Sequence, residues 1–494
     1  MNDENITNKQ PLIRYVNRQQ MSWRAVDVEK LIGEDHPARA IWTLVGRLDL
    51  SPFYRAIESS AEEGGRPAFD PQLLISLWVY AYSLGIGSAR EVARRCEYDP
   101  AFQWLTGLTE VNYHTLADFR VEKQQELDEL FTQVLAALCK EGLITLEQVV
   151  QDGTKIKALA SSRSFREEKT IREHLEQARQ RVAAMGDPLI DESSAKAKQA
   201  QARARREQQE RLESALEELQ KLQVRKDGRK AKREPRVSTT DPQARVMKQS
   251  DEGFALSYNA QISADAAHGL IVGVAVTQAA NDTGQLLPAV DRVEQRLNKR
   301  PQQMVADRGY TTRENIEEMA KREIDFLGSM KYVPRGANLP NQLPPSVFLY
   351  QQETDRCVCP EGKILTRQRQ RKVGHGMIYH MFEARLEDCQ ACPRKPECCP
   401  ANKKHGRSVA HLEESAVVIA FRKKMASEEA QQRYGRRGRI VEFCHAWIKS
   451  KLGLRQFHVR GLVKAQMEML WACLTYNLQH WIRLSKLRAT PAVT

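Results

Sequence analysis

"VVQDGTKIKA", residues 149–158, sets two valines and an isoleucine around a carboxylate, Asp152, which is followed at once by Gly153 and Thr154. The β-branched residues read as a short core strand. A charge on such a strand is costly to bury unless something compensates it. The stretch therefore points both to a sheet and to a site at that sheet.

Further strand-like runs follow it. "YNAQISADAAHGLIVGVAVT" at 258–277 reads as a hairpin turning at Asp265 to Gly269, and "QQMVADRGY" at 302–310 and "IDFLGSM" at 324–330 read as later strands. Helical spacing of apolar residues separates them in "GQLLPAVDRVEQRL" at 284–297 and "TRENIEEMAKRE" at 312–323. An antiparallel start followed by strand–helix alternation predicts an α/β fold with a mixed sheet.

Residues 36–142 read as helices. "FDPQLLISLWVYAYSLGIGSAREVARRC" gives a helix from about Pro71 to Leu84, a turn at Gly85-Ile86-Gly87, and a new helix begun by Ser88 with Glu91 three residues on. "HTLADFR" repeats that pattern with Thr115 and Asp118. The pair fits either a helix-turn-helix DNA reader or a helical hairpin in a bundle. At the other end, 462–487 lacks Gly and Pro and has a broad apolar face, as a core or interface helix does.

Two insertions interrupt the sheet. About Arg163 to Arg236, with Leu212, Leu216, Leu219 and Leu222 at helical spacing and a break in "MGDPLIDESS" at 185–194, reads as a long helical hairpin. It ends in the basic "RKDGRKAKREPR" at 225–236, a solvated linker or a phosphate contact. About Pro334 to Lys404 holds six of the ten cysteines. The close pairs match tetrahedral zinc–thiolate spacing, with Cys359, Cys389, Cys392 and Cys398 as the four ligands and Cys357 and Cys399 as substitutes; free thiols in a loop are the alternative.

With 494 residues, the chain can bury a large core. A formal charge of +13 favours a polyanionic partner such as nucleic acid. The polar start lacks the pattern of a signal peptide, and no apolar run approaches the ~20 residues that cross a bilayer, so a cytoplasmic protein with reduced cysteines and no membrane partner is expected.

Asp307, in "MVADRGY", is again an acid directly after an apolar strand. Two such acids on neighbouring strands would place hard oxygen ligands together, as Mg²⁺ requires. A third element, "RYGRRGRIVEFCHAWIKSKLG" at 433–453, reads as helical from Ile440, with Glu442, Ala446 and Lys449 on one face behind Tyr434, Arg436, Arg437 and Arg439. It presents either a metal ligand with phosphate-binding cations or an exposed amphipathic helix. Asp241, Asp282 and His268 read as turn residues, and Tyr310 as a residue that packs or stacks on a base.

In this order, "YHTLADFR", "QDGTKIKA", "TTDPQAR", "ADRGY", the cysteine-rich stretch and "YGRRGRIVEFCHAWIK" resemble the bacterial insertion-sequence transposases with a DDE triad and a Tyr-Arg-Glu-Lys signature, over about residues 15 to 485. The family's Arg-to-Glu gap is one residue shorter than the one between Arg437 and Glu442, while the spacing from Glu442 to Lys449 is intact. The resemblance implies a ribonuclease-H-like core carrying Asp152, Asp307 and Glu442, which hold Mg²⁺ or Mn²⁺, with Tyr434, Arg437 and Lys449 at DNA phosphates. Three carboxylates can hold two Mg²⁺ ions for in-line phosphoryl transfer; without metal they repel, and one tends to protonate. Gly153 and Thr154 would then turn the backbone beside the metal, with Lys155 or Lys157 toward DNA.

The organisation expected is a helical N-terminal domain over 1–142, a core in 143–162 and 237–333, a charged helical insertion over 163–236, a zinc-ribbon-like insertion over 334–404 and the rest of the core in 405–494. The function implied is a nucleoid-associated bacterial transposase. It would bind the terminal inverted repeats of its element as a dimer on double-stranded DNA, cleave there and join the ends to target DNA. The rivals are a metal-dependent nuclease of the same fold and a domesticated, inactive DNA-binding descendant. The three acids and the two insertions favour transposition.

Overall fold

Six strands make the core sheet: β1 (Gln148–Lys157), β2 (Arg245–Lys248), β3 (Phe254–Asp265), β4 (Ile271–Thr277), β5 (Gln303–Ala306) and β6 (Asp325–Gly328). The computed structural model describes residues 19, 21, 25–57, 67–183, 192–227, 234–249, 253–330, 343, 345–351, 353–373, 377–399, 404–412 and 415–489. On one side of β1 lies β3, antiparallel, whose far edge pairs with β2 and then with β4; on the other side β5 and β6 run parallel to β1. This is the mixed sheet expected, with its hairpin turning between Asp265 and Ile271. β2 is a strand that the sequence reading did not anticipate.

The central strands are apolar because both faces of the sheet are covered. Val149, Ile156, Tyr258, Ala260, Ile262 and Val274 are buried in a core continuous with that of the N-terminal helices. The helix Leu462–Ala489 joins the two. Its Asn477 side chain donates to Ile271 O at 2.8 Å and accepts from Ile271 N at 2.9 Å on β4, while Trp471 Nε1 donates to Arg120 O at 3.2 Å in the N-terminal domain. The helix expected at the core or an interface serves as both.

In the N-terminal domain the helix Pro71–Ser83 is buried almost all round, and the next, Ala89–Tyr98, starts at Ser88, whose hydroxyl accepts from Glu91 N at 3.4 Å. The parallel expectation for "HTLADFR" needs correcting. Asn112, not Thr115, caps the helix Tyr113–Glu122, accepting from His114 N at 2.8 Å, so Thr115 lies inside it. Asparagine is as good a cap as serine, and it stands one turn earlier.

The first insertion contains helices Glu168–Ala183 and Glu192–Asp227. Ile171, Leu175 and Ala178 pack against Leu212, Ala215 and Leu219, with Arg179 paired to Glu213 and Gln223 to Glu168, so the two run antiparallel. Much of "MGDPLIDESS" and of the basic 225–236 stretch lies outside the described residues.

In the second insertion, strands Leu349–Gln351, Arg356–Val358, Ile364–Val373, Met377–Glu383 and Ser408–Leu412 form an antiparallel sheet that extends past residue 404. It has a small core of its own around Phe348, Leu365, Phe382 and Val409.

Candidate active site

The register of the sheet brings the two aspartates together. Gln151 on β1 pairs with Ala306 on β5, the last pair of that parallel ladder, so Asp152 and Asp307 are the next residue on each strand. Side chains alternate along a strand, so Asp152 shares a face with Val150, and Asp307 directly follows a strand whose Val305 lies on that face. Val150 and Val305 form a compact apolar cluster with Leu327, Ala430 and Val441. Val441 thereby seats the helix Arg437–Ala446 on the β1 and β5 residues next to both acids.

The strand does not turn at Gly153 as expected. β1 continues to Lys157, and Gly153 is paired with Gln261 of β3. The absent side chain matters for a different reason. A Cβ at Gly153 would sit 2.6 Å from Asp282 Oδ1 and would also collide with the Gln261 amide. Glycine leaves the gap through which Asp282 approaches Asp152 from the other face of the sheet. Asp282 Oδ1 accepts from Asn259 Nδ2 and Gln261 Nε2, each at 2.7 Å, and lies 3.7 Å from Lys155 Nζ. Asp282, read from sequence as a turn acid, therefore belongs to the site. Its neighbours Asn259 and Gln261, two positions apart on β3, were the available signal.

Asp152 is the electrostatic focus. Burial pushes its carboxyl up, to about 6; the Gly153 N–H at 2.8 Å and the Arg437 guanidinium oppose that, while Asp307 and Asp282 add to it. Burial of the carboxyl, helped by the neighbouring acids, is what keeps its proton above the ordinary range. Arg437 Nη1 stands 3.4 Å from Asp152 Oδ2, and its guanidinium lies 6.0 Å over the Tyr434 ring. Burial raises the Tyr434 hydroxyl, with Arg437 acting against it and Asp307 and Asp152 reinforcing it. Arg437 thus stands at Asp152, with Tyr434 beside it.

Lys449 is close as well. Burial, then Arg455 and Lys155, lowers its ammonium, so it is one of several crowded cations that an anion would relieve. It lies in a π-helical turn, Trp447–Lys451, that follows the helix Arg437–Ala446. The helix that carries Glu442 thus begins three residues before Ile440, directly after the helix Glu428–Gly435, and the wider turn breaks the regular stripe expected from Glu442 through Ala446 to Lys449.

Glu442 is exposed, and no side-chain hydrogen bond or ion pair holds it among the described residues. The helix instead turns Val441, Cys444 and His445 inward. Among the described residues no three carboxylate, imidazole or thiol groups stand arranged to hold a metal ion. The chemistry of Asp152 and Asp307, hard oxygens that repel one another, nonetheless fits a divalent cation.

The secondary candidates separate clearly. Tyr310 is buried and donates to Gln261 Oε1 at 2.6 Å, so it packs. Asp241 accepts from Tyr258 Oη at 2.6 Å in the core, a structural role. His268 sits in the turn after β3.

In the cysteine-rich insertion all six thiols are free. Burial, with Cys389 and Cys398 adding to it, raises Cys399 to about 12; Cys398 likewise rises through burial, and Cys389 and Cys392 add to the effect. Backbone N–H groups of Lys363 and Arg407 donate to the sulfurs of Cys359 and Cys389, each at 3.3 Å.

A family model described as a transposase DDE domain matches residues 358–482, and one described as a transposase domain (DUF772) matches residues 26–122. The chain belongs to the insertion-sequence DDE transposases. The DDE match covers Tyr434, Arg437, Glu442 and Lys449 and stops short of Asp152 and Asp307; the other covers most of the N-terminal helices of this transposase. No curated protein matches the chain. No described helix is long and apolar enough to cross a membrane.

Proposed function

We propose that this transposase binds the terminal inverted repeats of an insertion sequence, cleaves DNA there and joins the ends to target DNA, with Asp152, Asp307 and Glu442 as its catalytic acids. The observation that carries the proposal is the register that sets Asp152, within β1, beside Asp307, just past the end of the parallel strand β5. Strand order and polarity support a ribonuclease-H-like core: three antiparallel strands, then two parallel to the first. Glu442 enters as the third acid through the family resemblance.

Bound divalent cations, Mg²⁺ or Mn²⁺, would supply activation of the attacking oxygen and stabilisation of the leaving one. Asp152 and Asp307 would hold them. Arg437 would grip phosphate oxygens bidentately, and Lys449 would add point charge. Tyr434, stacked under Arg437, would fix the guanidinium in place. The partner is double-stranded DNA, with a dimer bringing two ends together.

In the insertion, Cys359, Cys389, Cys392 and Cys398 would hold one structural Zn²⁺. The N–H···S bonds to Cys359 and Cys389 support this, since such donors stabilise thiolate sulfur.

The test is cleavage and joining of DNA carrying the element's ends, with Mg²⁺ or Mn²⁺, by the native protein and by Asp307→Ala. Joined product from the native protein alone is expected. Equal activity would overturn the assignment, cleavage without joining would leave a nuclease, and binding without either would leave a domesticated DNA-binding protein.

A further inference from the structure

The side chain that the helix Arg437–Ala446 aims at Asp152 is His445. Val441 fixes the helix on Val150 and Val305, and one turn later His445 arrives over the carboxylate, with Nε2 at 3.8 Å from Asp152 Oδ2. The residue is only 9% exposed. Neither ring nitrogen has a hydrogen-bond partner.

That combination is unusual. Buried polar side chains are nearly always satisfied, and an orphaned one calls for an explanation. A histidine kept for packing would bond a carbonyl or a hydroxyl, and one kept to orient Asp152 would approach within hydrogen-bond distance, which 3.8 Å is not. One ring nitrogen thus faces the carboxylate with no partner of its own. A neutral imidazole next to carboxylate oxygens is a ligand set for divalent transition metals.

We propose that His445 Nε2 is a direct ligand of the cation bound at Asp152. The proposal rests on reading Asp152 and Asp307 as cation ligands. A nitrogen ligand shifts selectivity along the divalent series, so this site would take Mn²⁺ and Co²⁺ in preference to Mg²⁺ more strongly than an all-carboxylate site does.

The experiment uses the full chain with Mn²⁺ and reads electron-spin-echo modulation, which detects a nitrogen bound directly to manganese. Nitrogen modulation is expected in the native protein, to be lost in both His445→Gln and His445→Phe, with Mn²⁺ affinity falling roughly tenfold. Two variants of different size separate loss of a ligand from loss of fold. Bound Mn²⁺ without nitrogen modulation, or modulation unchanged in both variants, would overturn the ligand role and leave the aspartate site standing. Absence of Mn²⁺ binding, or binding unaltered by Asp152→Asn, would overturn the aspartate reading and this proposal with it.

Discussion

The strand-borne and helix-borne halves of the site behave differently. Asp152 and Asp307 are fixed by a ladder in which Gln151 pairs with Ala306, and a slip of one residue between the two strands would put the acids on opposite faces. Glu442 is fixed only by the rotation of a helix about its axis. That rotation is set by Val441 in its apolar cluster, and it leaves Glu442 exposed while His445 faces the acid. Hydrogen-bonded register places a side chain to within a residue; an amphipathic face places it only to within a broad arc.

The sharpest way to break the comparison is to remove one member of each half. Asp152→Asn should lower DNA cleavage by about 10²–10³-fold, the range seen when one charge-stabilising group is lost from an active site. Glu442→Gln should abolish cleavage to a similar degree yet leave Mn²⁺ binding by the free protein nearly unchanged, because its carboxylate stands outside the resting cluster. A large drop in Mn²⁺ affinity on Glu442→Gln, measured by titration calorimetry, would place Glu442 with the strand acids instead.

Next in size is a pH effect confined to the strand half. Asp152 has its carboxyl raised from 3.8 to about 6 in the folded protein. The folded state therefore binds more protons than the unfolded state between these values, so stability falls as pH rises through them and is level above. With chelator present, the native protein should lose up to about 3 kcal/mol between pH 4 and 7 from this group. Asp152→Asn should remove that part of the slope in urea unfolding, and a slope identical in both would show that Asp152 is not the group responsible.

How much of this was legible follows the same division. Alternating apolar residues and turn signals disclosed β1, the β3–β4 hairpin, β5 and β6, and hence the two acids, because a strand's pattern repeats every two residues and its ends are marked by glycine and aspartate. Position along the chain could not disclose what depends on neighbours across the sheet. Gly153 looked like a turn, yet it is extended, and its smallness serves Asp282, a residue brought near only by tertiary folding. The π-helical turn at Trp447–Lys451 likewise has no mark in the sequence, and it alters the face on which Lys449 lies. Asn112 could have been found as a cap, since it stands directly before a helix.

A milder intervention addresses the seat of the helix. Val441→Ala removes two buried methyl groups from the cluster with Val150 and Val305, at a cost of about 2 kcal/mol. Cleavage should fall through a loosened Arg437 and His445, while the sheet acids keep their register. Unfolding midpoint and cleavage rate, measured together, should both drop. An unchanged cleavage rate would mean that the helix does not need this seat.

The smallest effect at the acids is expected from the cysteine-rich insertion. Among the described residues its core of Phe348, Leu365, Phe382 and Val409 shares no member with the cluster around Val150, so loss of order there should leave Asp152 in place. Cys392→Ser should lower zinc content by about one atom per chain, read by mass spectrometry of the purified protein. The pH-dependent unfolding slope assigned to Asp152 should persist in that variant. If the slope vanished along with the zinc, the two regions would share one folding unit, and the separation drawn between them would be wrong.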